Sequence, residues 1–555
     1  MGFESKYRDC VALLNSSPLL SLPLHQLIEN QVRSIYLFIY LFIHLFTYIP
    51  TFFFFLLLMI GCSTIVNLSL LLGAVAAIEP NSPVRTLVAF SIIGFVVTRH
   101  LIPKVGPSFI KIGLHGKDLS KKAPVPTIPE SMGLVAAATY LFLMFALIPF
   151  IFFKYLVSFG SLANDEVMTE NYRNQYQSVK NNNLFPHNKL AEYLSAVLCL
   201  QSTTMLGLLD DLFDIRWRHK FFLPAIASLP LLIVYYVDFS VTSVVVPKFV
   251  TDNALGSFFL DVLNTIVKYL NHLVTCITGL SFRTLQTDYE IPSDAPKLID
   301  LGIFYYFYMS AISIFSPNSI NILAGINGLE VGQSVVLAII FLINDFCYLL
   351  SPGISQAAHD SHLFSVIFIL PFLGVSLALL RYNWFPAKVF VGDTYCYFSG
   401  MVFAIVGILG HFSKTLVIFL VPQILNFLYS VPQLFHIVPC PRHRLPKFDS
   451  SNGLMYPSFG ELKKETVISK MILNTLGRLK MIKLVRDPKQ NGKVVQFSNM
   501  TIINLILVWF GPMREDKLCL LILAIQFVIG VLMIVVRHTV GPWLFGYDNL
   551  TWGVK

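Results

Sequence analysis

From position 84 onward, long apolar stretches alternate with short polar loops, a pattern that predicts membrane-spanning helices. Runs at 84–102, 131–153, 190–209, 221–239, 301–323, 334–350, 363–380, 389–409, 415–437 and 518–536 give about ten candidate spans. Each approaches the ~20 residues needed to cross ~30 Å of hydrocarbon. The implied fold class is all-α: a polytopic bundle of about ten transmembrane helices. A further run at 255–280 is interrupted by Asp261, Lys268 and His272. A charge at the centre of a span costs about 2.5–3.5 kcal/mol, so this run is expected to be an interfacial or lumenal insertion, within 249–297.

The loops sharpen the topology. Lys104, Lys111, Lys117, Lys121 and Lys122 fall in the 103–130 loop, and the 216–220, 381–388 and 442–483 loops are also basic. All share one parity and, by the excess of Lys and Arg in cytoplasmic loops, are expected on the cytosolic side. The 154–189, 240–300 and 351–362 loops lie opposite. A catalytic region at 84–540 would then contain a cytosolic substrate-binding loop at 438–515 and end in a lumenal tail at 541–555. Residues 1–83 form an atypical extension. Its 35–58 run, almost only Ile, Tyr, Leu and Phe, suits an extra helix or signal anchor, and equally translated AT-rich non-coding DNA.

Composition agrees with membrane residence. Of 555 residues, 55% are hydrophobic and 13% charged, against about a quarter charged in soluble domains. The net charge of +9 is spread over short loops rather than one stripe, which argues against nucleic acid. Eight cysteines without a CxxC pair indicate neither a disulfide framework nor a zinc site.

Four polar clusters interrupt the apolar sequence on the expected cytosolic face. LGLLDDLFDIRWRHK ends a helix with Asp210, Asp211 and Asp214, followed by Arg216, Arg218, His219 and Lys220. Adjacent carboxylates suit a shared cation or proton, although a charged interface cap would read similarly. SINILAGINGLEVGQS places Asn321, Asn327, Glu330 and Gln333 among glycines. Irregular backbone at membrane depth survives where it lines a cavity, and glycine lets N–H groups approach an anion; a Gly-rich turn is the plainer alternative. Asp393, in VFVGDT, could be an N-cap, or with the aspartate pair a hard oxygen ligand for Mg²⁺. Arg442, His443 and Arg444 stand among prolines in PCPRHRLP, a basic triplet held for phosphate contact or for anionic headgroups. Acids, glycines and bases without an activated Ser or Cys fit metal-assisted phosphoryl transfer at a membrane surface.

These motifs, with DLSKK and IPES upstream and GILGHFSKT downstream, resemble in order and spacing the polyprenyl-phosphate N-acetylaminosugar-1-phosphate transferases, specifically their eukaryotic dolichyl branch. The resemblance covers roughly 87–540; residues 1–83 and 249–297 have no counterpart in it. It implies transfer of GlcNAc-1-phosphate from UDP-GlcNAc to dolichyl phosphate, with Mg²⁺ as cofactor, in the endoplasmic reticulum membrane. It further implies Asn327 and Asp393 as Mg²⁺ ligands, and Asp210 and Asp211 as the catalytic acidic pair. Lys220 would contact the lipid phosphate, flanked by Ile320, Asn321, Ile322, Leu323, Ala324, Gly325, Ile326, Asn327 and Gly328. Lys117, Asp118, Leu119, Glu130, Gln333 and Phe390 would surround the uridine, and Arg442, His443 and Arg444 the pyrophosphate and sugar. Expected partners are the two substrates and membrane lipid, with a homodimer left open. Rival readings are a nucleotide-sugar transporter, which would place polar groups at the midplane, and a bacterial-type transferase using another N-acetylated sugar and polyprenol.

Overall fold

A computed structural model describes residues 64–79, 82–118, 120–121, 124–153, 186–239, 241–279, 298–441, 444–462, 466–487 and 493–545. The chain divides into two units, Met1–Asn67 and Leu68–Lys555, and the helical bundle belongs to the second. The low-complexity 35–58 run and the 541–555 tail beyond Phe545 lie outside the described residues, as do Leu119, Arg442 and His443.

All ten expected spans are helical, but not all qualify as single crossings. Among the described residues, seven helices are long and apolar enough, or up to eight if the pair Ser413–Phe419 and Val421–Leu434, bent by 65°, is one span. By length and hydropathy the described helices therefore support a polytopic bundle without confirming the expected count of about ten. The 221–239 run breaks at Ser228 into Leu223–Ala227 and Leu229–Asp238. Ile303–Ile322 is continuous over 20 residues but holds Ser, Asn, Tyr and Pro317, which lower its hydropathy.

At the centre stands Gly392–Leu409, in which every residue from Thr394 to Leu409 is buried. The helices His187–Phe213 and Ile303–Ile322 pack on it most extensively. Glycine permits that closeness: a Cβ on Gly207 would lie 2.6 Å from Thr394 Cα, and one on Gly400 would lie 2.4 Å from Pro317 Cα. Around this core, Gln356–Asn383 packs against Pro83–Lys111 and Leu329–Leu349.

The two ends of the bundle differ. At one, Lys189 lies 5.9 Å from the Phe239 ring centroid, Phe239 meets His411 at 4.3 Å, and Tyr235 meets Tyr305 at 6.1 Å. The other end gathers Asp210, Lys220 and Asp393. These groupings give the helices the alternating directions expected from the loops.

Short antiparallel strands, absent from the all-α expectation, punctuate the loops. Ser243–Val245 pairs with Leu298–Asp300 and closes the base of the insertion. Beyond the Val421–Leu434 helix, Phe459–Glu461, Lys493–Ser498 and Leu484–Asp487 form a sheet in that spatial order. Together with the helix Val467–Arg478, capped by Thr466 and Ser469, they enclose a small core that includes Leu473, Ile482, Phe497 and Met500. The expected 438–515 loop is thus a folded lobe.

Candidate active site

The His187–Phe213 helix delivers Asp210 and Asp211 to one end of the bundle, where Asp393 lies in the first turn of Gly392–Leu409. Lys220, from the short helix Trp217–Lys220, bridges them: Nζ donates to Asp210 Oδ2 at 2.8 Å and to Asp393 Oδ2 at 2.9 Å. Burial alone would lower the affinity of Lys220 for its proton, but the Asp393 and Asp210 carboxylates outweigh it and hold the ammonium above its ordinary pKa. The Asp210 side chain is only 2% exposed, whereas that of Asp393 keeps 30%. Asp210 therefore backs Lys220 from inside, and Asp393 is the more accessible partner.

Asp211 does different work. Its Oδ1 accepts from Asp393 N at 2.6 Å, and its Oδ2 accepts from Thr394 N at 3.2 Å and Thr394 Oγ1 at 2.5 Å. A carboxylate from one helix thus caps the next, satisfying orphan N–H groups where the helix dipole favours negative charge. This occupies the group that the resemblance paired with Asp210 in catalysis. Gly392 makes the cap possible: its φ is +72°, and a Cβ there would lie 2.3 Å from Asp211 Oδ2. Gly392→Ala is expected to lower thermal stability by about 2 kcal/mol or more, combining left-handed backbone strain with a clash, measurable by thermal unfolding in detergent.

Lys220 opens onto a cavity of about 300 Å³ lined also by Asn318, Asn321, Ile322, Leu323, Ala324 and Arg444. Three separately expected groups meet here: the lipid-phosphate lysine, the start of the 320–328 stretch, and one member of the basic triplet. Asn321 also reaches Asp393. The Arg444 carbonyl accepts from Asn504 Nδ2 at 2.8 Å and Ser458 Oγ at 3.1 Å, which pins the loop. Its Nη1 is buried and has no hydrogen-bond partner among the described residues, and burial pulls the guanidinium below its ordinary pKa. A half-buried guanidinium with one buried, unpaired nitrogen at such a cavity favours an anion. Leu445 leans on Gly325, where a Cβ would lie 2.0 Å from Leu445 Cδ2 at φ +110°.

Two expected uridine residues, Glu130 and Phe390, also converge, beside the strand that carries Lys117. His115–Lys117 pairs with Thr127–Pro129, leading into Glu130. A Cβ on Gly116 would meet the Phe390 ring at 3.1 Å and Glu130 Oε2 at 3.5 Å, so strand, ring and carboxylate form one corner. Burial, then Asp211 and Asp393, raise the Glu130 pKa against the opposing influence of His115. Gln333 is placed otherwise. It is fully buried, its Nε2 donating to the carbonyls of Ile320 at 3.0 Å and Leu323 at 2.7 Å, and its Oε1 accepting from Gln423 at 3.2 Å. In this geometry Gln333 braces the backbone beneath the loop, and its amide is engaged within the protein.

Asn327 is likewise a node. Its Nδ2 donates to Asp118 Oδ2 at 3.0 Å, its Oδ1 accepts from Ala387 N at 2.9 Å, and its N donates to Glu515 Oε1 at 2.7 Å. Lys121 closes the ring, paired with Asp118 at 3.0 Å and with Glu515. Asn327 and Asp393, expected to share Mg²⁺, thus engage different partners. Glu515 does not stand out in the sequence, and Lys121 does so only within the DLSKK motif, with no chemical role attached. Lys121 reads there as a topology signal, and Glu515 opens the last apolar run.

Residues 193–411 match the model of glycosyl transferase family 4. A UDP-N-acetylglucosamine--dolichyl-phosphate N-acetylglucosaminephosphotransferase of Saccharomyces cerevisiae is 54% identical over 473 residues, covering 84% of this chain and 94% of that protein. The chain belongs to this phosphotransferase family. Its similarly named relative in Schizosaccharomyces pombe is 45% identical, covering 85% and 96%, and that in Dictyostelium discoideum is 38% identical, covering 79% and 85%. The glycosyl transferase match contains Asp210, Lys220, Asn327 and Asp393, while Arg444 and Glu515 lie beyond it. The family relationship confirms the resemblance drawn from the motifs.

Proposed function

We propose that this chain transfers GlcNAc-1-phosphate from UDP-GlcNAc to dolichyl phosphate, giving GlcNAc-PP-dolichol and UMP. The observation that carries this reading is Lys220, held between Asp210 and Asp393 at a cavity shared with Arg444. An oxygen of the lipid phosphate attacks the β-phosphorus, the bond from that phosphorus to the bridging oxygen breaks, and UMP departs with the oxygen. A phosphate monoester has a second pKa near ~6, so the acceptor is already an anion and needs little help from a base. Asp210 accordingly orients Lys220, Lys220 holds the acceptor phosphate, and Arg444 offsets charge on the diphosphate. The apolar helices keep the lipid in the interface, and the crowding of polar groups at one end does not favour a transporter with a midplane site.

Among the described residues no three acidic, His or Cys side chains are grouped so that they would hold a metal by themselves, so Mg²⁺ would rely on one or two carboxylates together with substrate phosphates. Acidic side chains nonetheless outnumber their basic partners near the site: Asp118, Asp210, Asp393 and Glu515 share Lys121 and Lys220 among the described residues. Asp393, the more exposed of the Lys220 partners, is the carboxylate best placed to contribute to such an ion. When bound, Mg²⁺ would neutralise charge on the diphosphate. The basic residues from Lys104 to Lys121, at and beyond the end of the Pro83–Lys111 helix, and from Arg216 to Lys220 support a cytosolic site, in the endoplasmic reticulum membrane.

Purified protein given labelled UDP-GlcNAc, dolichyl phosphate and Mg²⁺ should form lipid-linked sugar and UMP in equal amounts; formation of neither would overturn the proposal. Arg444→Ala is expected to raise KM for UDP-GlcNAc about tenfold, the loss of roughly 1.4 kcal/mol from a charged hydrogen bond, checked in the same assay.

A further inference from the structure

The Ala254–Thr278 helix carries a surface that the bundle leaves uncovered. Leu255, Phe258, Phe259, Val262, Ile266 and Tyr269 are exposed, from 41% at Val262 to 86% at Leu255, and the series continues through Leu273 and Ile277. At 3.6 residues per turn all of these fall within roughly 100° of arc. A second strip is buried: Leu260 packs with Val246 and Ile299 against the strand pair at the base of the insertion. A third strip is polar, with Asp261, Lys268 and His272. The helix thus has one side for protein, one apolar side without cover, and one for water.

Its level relative to the bundle is fixed. Asn271 Oδ1 accepts from Ile303 N at 3.1 Å, at the first residue of Ile303–Ile322, and a Cβ on Gly302 would lie 2.1 Å from Asn271 Nδ2. Phe304 and Phe307, on the first turns of that helix, are themselves 38% and 64% exposed. The uncovered strip therefore sits beside the end of an apolar helix of the bundle, at the end opposite Lys220.

We infer that the Ala254–Thr278 helix is a lipid-binding element: it lies in the membrane interface opposite the active site, with its Leu255-to-Ile277 strip among phospholipid acyl chains. A strip of this width, with a distinct polar side, is the form taken by helices that lie in the interface plane. Left in water, so large a contiguous apolar patch would promote association. Because Ile303–Ile322 ends near Asn318 and Asn321, which line the cavity, anchoring one end also sets the depth of the other.

The full chain, reconstituted in phosphatidylcholine vesicles brominated high on the acyl chains, provides the test. Tryptophan is placed singly as Phe259→Trp, Ile266→Trp or Lys268→Trp, and the wild-type emission is subtracted. For the two apolar-strip variants the added emission should fall by roughly half in brominated lipid and resist aqueous iodide, with Lys268→Trp showing the reverse. Iodide quenching at Phe259→Trp and Ile266→Trp would place the strip in water, and protection from both quenchers would place it against protein; either overturns the inference. If a variant fails to fold, the wild-type chain is photolysed in vesicles with an acyl-chain diazirine lipid. Labelled peptides should then include 255–277, and their absence, with labelling elsewhere in the bundle, counts against it.

Discussion

Asparagine in place of Asp393 is expected to cut turnover by about two to three orders of magnitude while leaving the fold in place. The substitution is nearly isosteric, and Lys220 keeps its 2.8 Å contact with buried Asp210, so the ammonium stays near its position. What disappears is the more exposed carboxylate of the pair and with it the proposed Mg²⁺ ligand. Losing one group that acts on transition-state charge typically costs about 10²–10³ in kcat. Release of UMP, followed across a Mg²⁺ titration, separates the contributions: if Asp393 holds the metal, the variant should need more Mg²⁺ for half-maximal rate. Lys220→Met should cause a comparable loss, with KM rising for dolichyl phosphate more than for UDP-GlcNAc. The double variant should be little worse than either single one, because residues in one network do not add. Retention of more than about a tenth of wild-type turnover by Asp393→Asn would remove it from the reaction centre.

The sequence made the aspartates visible because charge at the end of an apolar run is costly enough to demand a reason. Loop parity also placed Asp210, Lys220 and Asp393 on one face, where the structure joins them. What stayed hidden depends on long-range partners. Asp211 caps a helix 182 residues away, and nothing local distinguishes that role from catalysis. Gln333, given a uridine contact only by the family resemblance, is buried and holds the carbonyls of Ile320 and Leu323, a bracing role that the local sequence does not announce. The small lobe is invisible because strands as short as Phe459–Glu461 offer too few positions for alternation to register. Irregularities within the spans are hidden for a related reason. Helical periodicity does not reveal the break at Ser228 or the 65° bend before Val421–Leu434.

Glu515 is where a residue without direct substrate contact should matter most. One oxygen receives the Asn327 N–H at 2.7 Å and the other receives Lys121, itself paired with Asp118. The carboxylate therefore joins the first turn of Glu515–Phe545 to two loops of the site. Glu515→Ala would leave the Asn327 N–H without its buried partner and free Lys121 to swing toward Asp118 alone. Losing such a bond costs about 1–3 kcal/mol, and at a site this is expected to appear as a roughly 10- to 100-fold fall in kcat/KM. If Glu515 positions the loops, most of the loss should fall on KM for UDP-GlcNAc, since Asp118 stands in the same ring. Glu515→Gln, which can still accept from Asn327, should recover part of it. Lys121→Met should be nearly silent in the Glu515→Ala background yet harmful in the wild type, a coupling expected of neighbours sharing one charge. Equal thermal destabilisation in all three variants with KM unchanged would instead confine Glu515 to holding the helix end in place.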